Sequence, residues 1–177
     1  MKRRIIFFFL SAIFAFSYAK PRTVHVMVAL CDNATQGIVP VPASIGKGDD
    51  PVLNLYWGAA YGGKNFFDRK TTDWQLIIEI PSDYAHILSR VLFKHKKEDI
   101  YLLAEAYDGA EMKLCLEDYL YATNAQHPVK LCDEKGRMLA FGGQSNVVAF
   151  IGHNGLMDMQ PEVEFTSNES RRPAAIS

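Results

Sequence analysis

Two short stretches of the chain carry side chains able to do chemistry. One is Cys31-Asp32-Asn33. The other is Gly152-His153-Asn154-Gly155, followed by Asp158. An imidazole has a neutral form available near pH 7 and can act as a general base. A thiolate beside an imidazole is a competent nucleophile, so Cys31 and His153 are the candidate catalytic pair. Asp32, Asn33, Trp57, Asn154 and Asp158 are the candidates for holding a peptide or a small ligand. Each has a plainer reading beside it: a histidine that caps a loop carbonyl, a buried inert cysteine, a tryptophan in ordinary core packing. The sequence contains no Gly-x-Ser-x-Gly elbow, no phosphate loop and no HExxH. No CxxC or Cys/His pair has zinc spacing, so neither a metal nor another cofactor is expected. Gly46-Lys47-Gly48-Asp49-Asp50 clusters carboxylates that could take a cation, or simply form a solvated loop.

Both stretches follow apolar runs. The run at 24–30 reads as a strand buried on both faces, and NVVAFI at 146–151 reads the same way. Further strands are expected at 74–80 and 100–106. Helices are expected at 53–67, at 82–93, and at 110–121, where Met112, Cys115, Leu116 and Tyr119 make an apolar stripe. Asp50-Pro51 would start the first of these, although its paired glycines weaken the second half. Lys94-His95-Lys96-Lys97 reads as a solvated basic patch. Residues 129–141 read as a hairpin turning at Asp133-Glu134-Lys135-Gly136. Strands alternating with helices imply an α/β fold of three layers: a mostly parallel sheet with helices on both faces, caspase-like or doubly wound, carrying a small β-hairpin insertion. In open parallel sheets, sites lie at the carboxyl ends of strands, where both reactive stretches fall.

The amino terminus has the order of a secretory signal. Lys2, Arg3 and Arg4 precede an uncharged apolar stretch at 5–16, and Ser17-Tyr18-Ala19 offers a cleavage site. That stretch spans only about 18 Å as a helix, short of a hydrocarbon core of about 30 Å, so no stable membrane insertion is expected after cleavage. The expected organisation is a signal peptide at 1–19, one α/β domain at 20–165 and a polar tail or truncated end at 166–177. The whole chain carries 19 basic and 20 acidic residues. Loss of the three leader cations makes the remainder mildly acidic, which argues against nucleic acid as a partner. An exported, periplasmic or extracellular location follows. Three cysteines, Cys31, Cys115 and Cys132, leave at least one thiol unpaired. Buried free thiols are one arrangement, and a Cys115–Cys132 bridge is the other.

VVAFIGHNG resembles the strand-plus-histidine-glycine element of the caspase, legumain and gingipain clan of cysteine peptidases. The resemblance covers about ten residues. The segments ALCDN, GIVPVP, NLYWGAAYG, AEAYDG and GHNGLMD, spread over most of 23–160, resemble uncharacterised exported bacterial proteins. In the clan an apolar strand ends in a catalytic histidine beside glycine, and the next strand delivers the nucleophilic cysteine. The first strand neighbours the histidine strand. The resemblance therefore implies that His153 is the base and that Cys31 lies at an adjacent strand end. It also implies a nucleophile after His153, yet residues 154–177 contain no cysteine. Arg172-Pro173-Ala174-Ala175-Ile176 reads either as the start of that missing cysteine strand, an ending that a frameshift or early stop would produce, or as part of an independent polar tail. If no further strand pairs with 146–151, an open apolar edge and self-association are expected. The function expected is a cysteine-peptidase-like domain that is inactive as given. The alternative is a non-enzymatic module that binds a peptide or small ligand. Intact mass of the exported protein should correspond to a chain beginning at Lys20; recovery only as the full-length chain in the membrane fraction would refute the leader.

Overall fold

The computed structural model describes residues 20–157, 159–167 and 170–177. The expected leader at 1–19 and the candidate Asp158 lie outside the described residues. Eight strands occur among the described residues: β1 (Arg22–Ala29), β2 (Trp74–Glu79), β3 (Ile87–His95), β4 (Ile100–Tyr107), β5 (Pro128–Cys132), β6 (Met138–Gly142), β7 (Val147–Ile151) and β8 (Ala174–Ile176). Six of them form one sheet in the order β2-β3-β4-β1-β7-β8, and β5-β6 is a separate hairpin. β4, β1, β7 and β8 run parallel, whereas β3 is antiparallel to β4 and β2 to β3. The fold is thus mixed α/β with a mostly parallel sheet.

Residue alternation along β1 sorts the core. Val24, Val26, Val28 and Leu30 point to one face, where they meet Trp57, Phe67 and Phe93. Met27 and Ala29 point to the other, against Met112, Cys115, Leu116 and Tyr119. These four belong to the helix Met112–Thr123, so the stripe read from the sequence is the face that packs. The hairpin covers the rest of that side, where Leu139 and Phe141 meet Tyr101 and Leu103.

The opposite face is not covered by a long helix, which corrects the expected helix at 53–67. Only a three-residue helical turn, α1 (Gly63–Asn65), and one wide turn, Phe66–Lys70, are helical there; the long helix, on the Met27 and Ala29 face, is α2 (Met112–Thr123). The reason is close backbone approach. A Cβ on Gly58 would collide with the carbonyl of Val52, and one on Gly62 would sit 2.5 Å from the Trp57 carbonyl. The glycines permit stacked turns at a separation no helix would have.

The helix expected at 82–93 is also corrected. Ile87, Leu88 and Val91 do share helical spacing, but they lie on β3, an interior strand. A bulge between Ile87 and Ser89 breaks its alternation. Val91 and Phe93 face the Trp57 side and Leu92 the hairpin side, so a strand buried on both faces mimics a helix in sequence. The basic patch after it is only partly solvated: Lys94 donates to the carbonyl of Glu98 and His95 packs edge-on against Trp74.

The strand at 146–151 lies in the sheet interior as expected, between β1 and β8, and Val148 is fully buried. The segment after it packs back on the domain. It runs along α2, with Lys113 pairing Glu162 at 2.9 Å, the Glu162 amide donating to Glu117 and Phe165 packing near Tyr121. It then returns as β8, pairing Ala174–Ile176 with Val147–Ala149. The β7 edge expected to be open is therefore covered over those three residues. No helix among the described residues is long and apolar enough to cross a membrane.

One buried ionic network ties the layers together. Glu105 on β4 is 1% exposed and accepts from Arg90 of β3 and, at 2.8 Å, from Nε2 of the fully buried His25 on β1. The Gly142 amide at the end of β6 donates to His25 Nδ1 at 3.0 Å. That bond requires a lone pair on Nδ1, so the proton is on Nε2 and the ring is a neutral donor to Glu105. Burial opposes ionisation of Glu105, but the His25 N–H and the Arg90 guanidinium outweigh it and hold its pKa below the ordinary carboxylate range. Because this pKa lies below its unfolded value, the stabilisation is complete above the ordinary carboxylate range and is lost as pH falls through the lowered pKa. Glu105→Ala should cost about 3–5 kcal/mol in urea unfolding at neutral pH, by leaving Arg90 and His25 unpaired. A loss under about 1 kcal/mol would show that the network is not what holds the hairpin to the sheet.

Candidate functional site

The two reactive stretches meet at the carboxyl edge of the sheet. β1 and β7 are parallel neighbours with Val28 opposite Ile151. Continuing that register by two places sets His153 beside Leu30, the residue before Cys31. His153 is half-buried and immediately follows Gly152. Glycine at 152 answers crowding: a Cβ there would lie 2.8 Å from the Phe150 ring and 3.2 Å from the Ala29 side chain. The His153 carbonyl accepts from the Gly155 amide at 2.7 Å, closing a tight turn, and Gly155 is buried against Met112 of α2. The histidine is thus anchored by its backbone between β7 and α2.

Cys31 is fully buried. Its amide donates to Asn54 Oδ1 at 3.0 Å, and its carbonyl accepts from Asn54 Nδ2 at 2.8 Å. Burial, followed by the charge of Asp32, raises the thiol pKa. The group therefore stays protonated at neutral pH, which is the opposite of what a nucleophilic cysteine requires. Tyr56 lies close enough that its phenol pKa is raised by burial and then by Cys31.

Asp32 and Asn33 are spent on the loops around them. Asp32 accepts from the Ala34 amide at 3.1 Å and from the Thr35 hydroxyl at 2.5 Å. Gly48 and Gly109 both press against it, and a Cβ on either would lie 2.7 Å from the Asp32 Cβ. Asn33 exchanges two hydrogen bonds with the backbone of Val41, at 2.8 and 3.0 Å. Trp57, 1% exposed, is core beneath the sheet and not a wall of the edge. Asn154 is exposed beside His153. The structure thus puts Cys31, Asp32 and Asn33 just past the end of β1 and His153 and Asn154 just past the end of its parallel neighbour β7, and buries Trp57 in the core. In the 46–50 loop Lys47 pairs Asp49 at 3.4 Å and Asp50 accepts from the Val52 amide. No cluster of three or more metal-ligating side chains occurs among the described residues.

Two residues that hold this edge carry no sequence signal of their own. Asn54 also donates to the Lys47 carbonyl, so one buried amide joins the loop to the β1 end. Gln36, 2% exposed, donates to the carbonyls of Leu30 and Gly109 and accepts from the Asp32 amide. Both amides stand in for a missing strand partner, satisfying backbone groups that burial would otherwise orphan. The buried His25 and Glu105, by contrast, are visible in sequence as polar residues inside the apolar runs VHVMVAL and LLAEAY.

Comparison with protein-family models, with curated proteins and with solved structures found no match. All three cysteines are free, with Cys31 and Cys115 buried and Cys132 exposed on β5, so the Cys115–Cys132 bridge is not formed. A small thiol reagent at neutral pH should accordingly modify one thiol per folded chain, at Cys132, and reach Cys31 and Cys115 only on unfolding. Rapid modification of Cys31 in a Cys132→Ser chain would contradict the burial.

Proposed function

We propose that this chain is an exported α/β domain built like a caspase- or legumain-type cysteine peptidase, with His153 at the position of the general base and without a thiol competent to serve it. The observation that carries the reading is the placement of β7: it ends in Gly152-His153 and lies parallel beside β1, so the histidine stands at the carboxyl edge next to the β1 end. In the clan resembled, the first strand neighbours the histidine strand in the same way. Two coverings of the sheet, α2 with the hairpin on one face and the turns at 54–70 on the other, are compatible with a three-layer arrangement.

The inactivity follows from the thiols present. A nucleophile must be a thiolate within hydrogen-bond reach of its base. Cys31 is the thiol nearest in topology, yet it is buried and its pKa is raised. Cys115 is packed inside the α2 cluster, where burial pushes its pKa well up, and Cys132 is on the hairpin. The chain as given should therefore show no turnover of fluorogenic peptides carrying Arg, Lys, Asp or Asn before the scissile bond. Turnover abolished by His153→Ala would overturn this; loss in Cys31→Ala as well would identify Cys31 as the nucleophile.

A further inference from the structure

A separate cavity of about 270 Å³ opens on the α2 face, between the start of β3, the end of β4, α2 and the start of β5. Cys31 and His153 do not line it. Three rings form one wall: Tyr84 packs on His86 with centroids 5.5 Å apart, and His86 on Tyr107 at 5.6 Å. Leu114 and Val129 close the other side with apolar surface. Asp118, its side chain 15% exposed, projects from α2. Its Oδ2 accepts from the Tyr107 hydroxyl at 3.0 Å. Its Oδ1 faces His127 Nδ1 at 3.3 Å, longer than the roughly 2.7–2.9 Å of a charge-assisted N–H···O bond.

With His86 and His127 neutral, this cavity carries one net negative charge, on Asp118. Arg90 contributes a cation, but its guanidinium is engaged by Glu105, which remains ionised and also takes the His25 N–H. That pair is neutral in sum and leaves no free positive charge for an anion. Asp118 is met by the Tyr107 hydroxyl and by the His127 and His86 imidazoles, and burial outweighs these partners and raises its pKa. His127 is held where it is by the chain: its backbone is left-handed, at φ +53°, and its carbonyl accepts from the Gly143 amide.

From this geometry we infer that the cavity binds a small organic monocation of the primary alkylammonium class, with its ammonium on Asp118 Oδ1 and its alkyl chain against Leu114, Val129 and the Tyr84–His86 rings. An ammonium offers three donors to a carboxylate oxygen with spare lone pairs, and the low exposure of the site strengthens that bond. The inference stands apart from the peptidase-like reading, because it uses neither strand end that carries His153 or Cys31.

The test is titration of the folded full chain with n-butylammonium and, separately, with butyrate, followed by NMR of the His86 and His127 ring protons. Saturable shifts at millimolar n-butylammonium, absent with butyrate, are expected. Asp118→Asn should weaken binding by about tenfold or more, the loss expected for a charge-assisted hydrogen bond. Tyr84→Ala, at an exposed ring outside the core, should weaken it as well and serves if Asp118→Asn does not fold. Equal response to butyrate, no saturable shift, or affinity unchanged in the variants that fold would overturn the inference.

Discussion

A single buried carboxylate organises this molecule. Glu105 sits in the middle of β4 and is met from β3 by Arg90 and from β1 by His25, while β6 closes on His25 through the Gly142 amide. Four strands from two sheets thus converge on one residue. A carboxylate taken out of water is costly unless every lone pair is answered. The arrangement answers with a full charge on one oxygen and a neutral N–H on the other. The cost of a misplaced partner is high enough that the register of β3 and β1 against β4, and the seat of the hairpin, are specified together.

The same network sets what surrounds it. Since Arg90 is committed to Glu105, the neighbouring cavity inherits its character from Asp118 and the Tyr84–His86–Tyr107 rings. Since the hairpin is fixed at Gly142, the strained turn at His127 is fixed too, because a Cβ on Gly142 would strike the His127 carbonyl. Ala125 and His127 both adopt left-handed backbone in the short link from α2 to β5. Such conformations persist only where surrounding contacts over-determine them. Here those contacts lead back to His25 and Glu105.

At the carboxyl edge the governing constraint is different. The chain leaves β1 into a long irregular loop, so backbone groups of Leu30, Cys31 and Asp32 lose the sheet. Buried Gln36 and Asn54 replace it. The consequence for chemistry is direct. The side chains that looked available in sequence, Cys31, Asp32 and Asn33, are enclosed in building this edge, whereas His153 is only half-buried.

Much of the scaffold was legible from residue order. The runs at 24–30, 74–80, 100–106 and 146–151, the stripe of α2 and the hairpin turn at 133–136 all express local periodicity or turn chemistry, and the structure realises each. The position of His153 at a strand end was legible for the same reason. Where the sequence misled, the period was ambiguous: β3, buried on both faces and bulged, imitates a helix, and the glycine-rich 53–67 segment packs backbone on backbone instead of coiling. The strand character of 174–176 was legible as one of two readings, but its pairing with β7 was not fixed, because three residues carry too little pattern to choose a partner. Whether a thiol is exposed or enclosed, which loop amide caps which strand end, and that Asp118, His127 and Tyr84 share one cavity are products of contacts between residues distant along the chain. Local sequence encodes the conformation of a segment, but burial and charge balance depend on which segments meet, and only the tertiary packing decides that.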